Sequence, residues 1–294
     1  MPRIDFSGGN QSLLLEPERT NRCTLSEYFE GAAWLSIGSP TITTNYGISP
    51  EGVKNSTRIQ FSGTNQCIYD GIAYTSEEVS TIYVKGTSGE TIKFGKGDNI
   101  FVGDIFTLDG TWQRLKFVQS VSGNTFTINT SGGATARDIE IWGAQNEEGS
   151  YPTSYIPTYG VSQTRLQDSA RVTGLAQSFP LTAYIEIDVF SITTYNQFQF
   201  RQDAGNYVLR VGNQIRIGAT DTIGNNTLGS NKFALSVDAS GNYELFKNGT
   251  SLRTGTITGS IDEIKSDSAG YEVKQLLLFP TALSDEACIE LTTI

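Results

Sequence analysis

The sequence predicts an all-β protein built as two antiparallel β-sandwiches, one after the other. Three observations predict it. Short segments alternate apolar and polar residues with period two, and Gly, Asn, Asp or Ser bound each of them. The composition is rich in Gly (31), Tyr (13) and Phe (15), with a single Met, and it lacks long Ala/Leu/Glu/Lys stretches. The 294 residues give room for two domains of roughly 150 residues each, large enough to bury a core without staples.

The first alternating run after Trp34 is TRIQF (57–61), followed by STIYVK (80–85) and TIKF (91–94). WQRLKFV (112–118), TFTI (125–128) and DIEIW (138–142) continue the pattern, with Ser122, Gly123 and Asn124 as a turn between two of them. Residues 1–30 read as a loop-like lead in which Leu13, Leu14 and Leu15 form a short buried anchor and Pro17 interrupts. This places a first sandwich over 31–150. Residues 151–160 carry Pro152, Pro157 and small polar residues, and read as a linker. Its Tyr151, Tyr155 and Tyr159 imply that it packs on a domain, since a floppy linker would be Gly/Ser-rich.

The second sandwich spans 161–294. Its strands are read at 183–189, 197–201, 207–211, 214–217, 232–237, 242–247 and 275–279. Asp238 to Gly241 forms a hairpin turn and Asn248-Gly249 another. One helix is expected after Ser284, a good N-cap followed by Asp285 and Glu286 in the first turn.

The net charge of −10 and pI near 4.6 repel phosphate backbones and anionic membrane surfaces, so neither nucleic acid nor membrane insertion is expected. No apolar run approaches a membrane span, and the N-terminus shows no signal-peptide core. Histidine is absent, which removes the commonest general base and metal ligand. Cys23, Cys67 and Cys288 are odd in number and widely spaced, so buried free thiols are expected, in a protein matured in a reducing cytoplasm.

Three stretches resemble one family. PRIDF (2–6) with LLLEPERTN (13–21) is similar to the lead of phage tail and virion proteins. WGAQNEEG (142–149) with SYPTSYIPT (150–158) resembles their central junction, and LFPTALSDEA (278–287) resembles the close of a concanavalin A-like, laminin G-like domain. The resemblance implies a jelly-roll carbohydrate-binding sandwich followed by a lectin-type one. It also implies a bacteriophage virion protein, made in the host cytoplasm and exposed on the particle as a homotrimer. In that family the lead usually follows an anchoring region. Here it begins at Met1, so no virion-attachment region is expected in this chain.

Aromatic side chains that stack on sugars are the first candidates for a site. Core packing outweighs stacking for Trp112 and Trp142, and narrowly so for Trp34, which stands in a less regular stretch. Trp34 and Tyr46 are nevertheless the best stacking candidates. Asp98, Asp104 and Asp109 lie in a Gly/Asp-rich segment where calcium is possible, although turns account for it equally well. The Asn-X-Ser/Thr sequons at Asn55, Asn129, Asn225 and Asn248 are read as turn composition. The acidic pairs Glu16/Glu18 and Glu147/Glu148 sit in the lead and junction, where packing is simpler than a catalytic role.

The expected function is host attachment by a tail fibre or spike that binds a cell-surface glycan, without enzymatic activity. Two alternatives stand beside it: a head fibre or capsid decoration working through contacts with other virion proteins, and a capsule-degrading glycosidase. The lack of histidine weighs against the last. Tyr151, Tyr155, Ile156 and Tyr159 supply apolar material that either joins subunits or locks the two domains of one chain together.

Overall fold

The computed structural model describes residues 3–6, 9, 11–74, 77–96, 102–119, 123–130, 136–192, 197–202, 206–218, 221–267 and 270–294. The chain forms two compact units: Arg19–Arg165, and Met1–Glu18 together with Leu166–Ile294.

The Arg19–Arg165 unit is a sandwich of two five-stranded sheets. One runs, in hydrogen-bonded order, Gln113–Gln119, Glu78–Gly86, Arg137–Glu148, Thr57–Phe61 and Thr41–Thr43. The other runs Val102–Thr107, Thr91–Lys96, Gly123–Asn129, Cys67–Tyr74 and Trp34–Ile37. The neighbours pair antiparallel. Period two explains the core: Ile59, Phe61, Ile82, Val84, Ile139 and Ile141 turn inward from the first sheet onto Ile68, Phe94, Phe126 and Ile128 of the second.

The other unit is a sandwich of a seven-stranded and a six-stranded sheet. Leu181–Val189 lies at the centre of the larger sheet, between Tyr271–Phe279 and Gly229–Val237. Ile185, Phe233 and Leu245 meet Phe200, Leu209 and Ile264 of the smaller sheet in the core. The expected hairpins are present. The Asp238 carboxylate accepts the N–H groups of Ser240 (2.8 Å) and Asn242 (2.9 Å). Asn248 and Gly249 both take positive φ. The helix Asp285–Thr292 begins at the Ser284 N-cap, whose hydroxyl accepts the Ala287 N–H at 3.3 Å. Cys288 packs with Tyr184, Ala234 and Phe246 on the outer face of the seven-stranded sheet. All three cysteines are buried free thiols, and burial pushes Cys67 and Cys288 up to about 11.

Two boundaries are corrected. The lead 1–30 is not one loop. Ser12–Leu15 is a strand paired with Tyr271–Phe279, so the Leu13–Leu15 anchor belongs to the second sandwich. The Glu16 N–H donates to the Asp168 carboxylate (3.1 Å), and the Asp168 N–H returns to the Glu16 carbonyl (2.8 Å). From Arg19 the chain joins the first sandwich, where Cys23 and Phe29 are fully buried.

Residues 151–160 are not a linker but part of the first sandwich. Asp138 to Trp142, read as a short strand, is the first half of Arg137–Glu148, which continues through the junction motif. A bulge between Trp142 and Gln145 lets it do so. Gly143 sits there at φ +65°, where a side chain would press on Tyr83. Polar side chains then hold 151–160 against the strand. Gln145 Oε1 accepts the Ile156 N–H (2.6 Å), and Glu147 accepts the N–H (2.9 Å) and hydroxyl of Thr153. The Asn21 amide donates to the carbonyls of Ala144 (3.1 Å) and Ile156 (2.8 Å). Glu147 is thus a packing residue, and buried Glu16 pairs with Arg3.

Candidate functional site

The outer face of the Arg137–Glu148 sheet is divided in two. Segment 151–160 roofs one end, with Tyr155 against Trp142 (4.5 Å between ring centroids) and Arg114 donating to the Thr153 carbonyl (2.8 Å). The other end is open.

Strand register assembles a row of side chains at the open end. Thr43 pairs with Arg58, Arg58 with Glu140, and Glu140 with Lys85. The Gln113–Val84 pairing places Trp112 next to Lys85, just ahead of its strand. A second row, Thr41–Gln60–Asp138, lies beside the first. These residues point outward because their sequence neighbours Ile59, Ile139 and Val84 point into the core.

The row is tightly cross-linked. Arg58 donates from Nε (2.8 Å) and Nη2 (2.5 Å) to the two oxygens of Asp138, and Gln60 adds a bond at 3.2 Å. The Arg58 bonds hold the Asp138 carboxyl below the usual carboxylate range. Lys85 Nζ lies 3.3 Å from Glu140, whose other oxygen accepts the Ser56 hydroxyl at 2.7 Å.

Two aromatic rings complete the face. Arg58 lies over the Tyr46 ring (4.8 Å) and Lys85 over the Trp112 ring (6.0 Å). Tyr46 is 44 % exposed. Its loop is fixed by the Tyr46 N–H to the Ser56 carbonyl (2.8 Å) and by the Trp112 indole N–H to the Ile48 carbonyl (3.1 Å). A side chain on Gly47 would overlap the Glu140 carboxylate, so glycine lets the loop lie against the sheet. Two shallow depressions of about 400 Å³ each meet at Thr87 and Asp138. A third cleft, of about 350 Å³, lies in the other sandwich among mainly aliphatic groups such as Leu13, Val172 and Ile264.

Of the two stacking candidates, the structure places Tyr46 on this face and removes Trp34. Trp34 is 5 % exposed, packed at 4.7 Å on Phe29 and 5.6 Å on Phe126, with its indole N–H donated to the Leu25 carbonyl at 2.9 Å. Both faces of its ring serve the core. Trp142 is buried, as expected, whereas Trp112, read as core, is only half-buried and lies beside Lys85. Its phase carried the signal: it alternates with Arg114 and Lys116, the outward side of its strand.

Among the described residues no group of three or more His, Cys, Asp or Glu side chains could hold a metal ion. Asp98 lies outside the described residues. Asp104 is on an exposed edge strand, and Asp109 spends its carboxylate on the N–H and hydroxyl of Thr111, both at 2.8 Å.

The class that fold and face define is an all-β, two-sandwich chain with an open polar–aromatic surface. No family model and no curated protein match it. Among solved structures, it is similar to domain 4 of AbnA, an extracellular arabinanase from Geobacillus stearothermophilus, solved in complex with arabinotriose. The identity is 17%, the coverage 49% of this chain and 81% of that one, and the TM-score 0.35. It is also similar to the binding domain of botulinum neurotoxin serotype G, at 10% identity, over 86% of this chain and 46% of that one, with a TM-score of 0.24. The chain thus aligns with less than half of the toxin domain's length.

Proposed function

We propose that this chain is a non-enzymatic, glycan-binding component of a bacteriophage virion, and that the Tyr46–Trp112 face is its sugar-binding surface. One observation carries the site: two aromatic rings flank a ladder of charged and amide side chains at the open end of the sheet face. Apolar ring faces with a few fixed hydrogen-bonding groups are what an amphipathic sugar ring requires. The phage reading rests on the sequence stretches at 2–21, 142–158 and 278–287. On it, the protein is made in the host cytoplasm, is exposed on the particle and serves attachment to the host surface.

Asp138 and Glu140 are two carboxylates on one face of one strand. Glycoside hydrolysis needs one carboxyl with a raised pKa as proton donor. Asp138 is shifted the other way. An ionised carboxylate held by arginine is a hydrogen-bond acceptor for sugar hydroxyls.

A glycan array, read together with labelling of the chain on particles, tests both halves. Binding to host-surface glycans without release of reducing sugar is the expected result. Hydrolysis of the bound glycan, or an array with no hit, contradicts the proposal.

The attached state is a homotrimer on this reading, because weak single sites gain avidity when repeated. The roof residues Tyr155 and Ile156 are spent within one chain, but Tyr159 is 73 % exposed and remains available to a neighbour. Sedimentation equilibrium at micromolar concentration should give three times the 32.0 kDa chain mass. A monomer would refute self-association through these sandwiches.

A further inference from the structure

We infer that the Tyr46–Trp112 face selects uncharged glycans presenting neighbouring hydroxyls, and rejects uronate-, sialate- or sulfate-bearing ones. This rests on the sugar-binding reading above and adds the chemical class of the ligand.

Charge is balanced over the face. Its cations are each matched within the fold. Arg58 is held by both oxygens of Asp138 (2.8 and 2.5 Å) and Lys85 by Glu140 (3.3 Å). At the adjoining depression Arg137 lies 3.9 Å from Glu90 and donates through Nε to the Thr91 carbonyl (2.8 Å). An acidic sugar would therefore meet only cations whose charge a carboxylate already balances. It would do so beside the remaining carboxylates, on a chain of net charge −10. Like charges set side by side are how a site excludes a partner.

A pair of hydroxyls asks for the opposite environment. Each hydroxyl donates one hydrogen bond and accepts others. An ion pair lying along a surface offers both functions at adjacent atoms. Asp138 accepts, while the Arg58 guanidinium has five N–H groups, of which the two bonds to Asp138 use two. Gln60 and Thr41 stand in the same row and extend the set with neutral donors and acceptors. Neighbouring hydroxyls can bridge the pair without breaking it.

The strands of Arg58 and Lys85 flank that of Glu140, so these cations and their rings are on the order of 10 Å apart. Two platforms at that separation exceed one sugar ring, and the preferred ligand is an oligosaccharide.

Titration of the purified full chain with matched neutral and uronate oligosaccharides, at about 50 and about 500 mM salt, separates the outcomes. Neutral oligosaccharides should bind, with affinity changing less than about twofold across that range, since no net charge is exchanged. Asp138→Asn should weaken binding by about tenfold or more, as truncating a charge-assisted bond does. Gln60→Ala, on the same row, provides a second variant should Asp138→Asn misfold by circular dichroism. Salt-sensitive binding of acidic glycans that is lost in Trp112→Ala would overturn the ligand class and leave the site in place. Neutral binding that survives Trp112→Ala, Gln60→Ala and Asp138→Asn unchanged would overturn the site itself.

Discussion

Trp34→Ala should destabilise the Arg19–Arg165 sandwich by about 3–5 kcal/mol, the usual cost of emptying a tryptophan-sized space in a core. The indole is 5 % exposed and wedged between Phe29 and Phe126, and its N–H satisfies the Leu25 carbonyl. Truncation leaves a cavity and takes the indole donor from the part-buried Leu25 carbonyl. A loss of that size is a large part of a domain's total stability, so partial unfolding at ordinary temperature is expected. Tyr46→Ala, at the surface, should cost less than about 1 kcal/mol. Urea unfolding of both variants distinguishes the core residue from the face residue. Equal midpoints would mean that Trp34 does not serve the core.

The second large effect is a gain. Asp70 lies on Cys67–Tyr74 opposite Trp34 and Phe126, is 7 % exposed, and its Oδ2 accepts no hydrogen bond among the described residues. Burial pushes its carboxyl from the ordinary 3.8 up to about 6. Between these values the unfolded chain has released the proton while the folded chain keeps it. Stability from this group therefore falls as pH rises through that window, and the full penalty stands above about pH 6. Asp70→Asn removes the ionisation and should stabilise the protein at pH 7.5 by about 1–3 kcal/mol. The gain should shrink towards zero below about pH 4. Urea midpoints at the two pH values check this. Equal destabilisation at both would show that the carboxylate has a partner and carries no burial penalty.

Much of the fold was legible because a half-buried strand writes itself as alternation. TRIQF buries every second side chain, as its sequence announces, and Leu115 and Gln119 of QRLKFVQ lie buried on the same alternating side. The lead was not legible, because Arg3–Asp5 and Ser12–Leu15 are too short to alternate and their sheet partner begins at Tyr271. The junction failed for a related reason. Arg137–Glu148 turns polar beyond Ala144, yet Gln145 and Glu147 are buried because 151–160 bonds to them, and the buried Asn146 gives its N–H to Asn21 and its side-chain amide to Ser80. A buried polar run looks like a loop until its partners are known.

The site was half legible. Tyr46 was visible as an aromatic residue outside any regular strand. Trp34 was misassigned because its strand, Trp34–Ile37, buries only its first residue, leaving no period to read. The charged ladder could not be seen at all. Arg58, Asp138 and Lys85 are each ordinary outward positions, and only the register of three strands brings them together.

On this proposal Tyr46 presents a sugar-binding ring at the open end of its sheet face. Calorimetric titration of the strongest array glycan into wild type and Tyr46→Ala tests it most directly. The account predicts a fall of about tenfold or more in affinity, about 1.4 kcal/mol or more, with an unchanged circular dichroism spectrum. Equal affinity in the two proteins would place the sugar elsewhere and contradict the account.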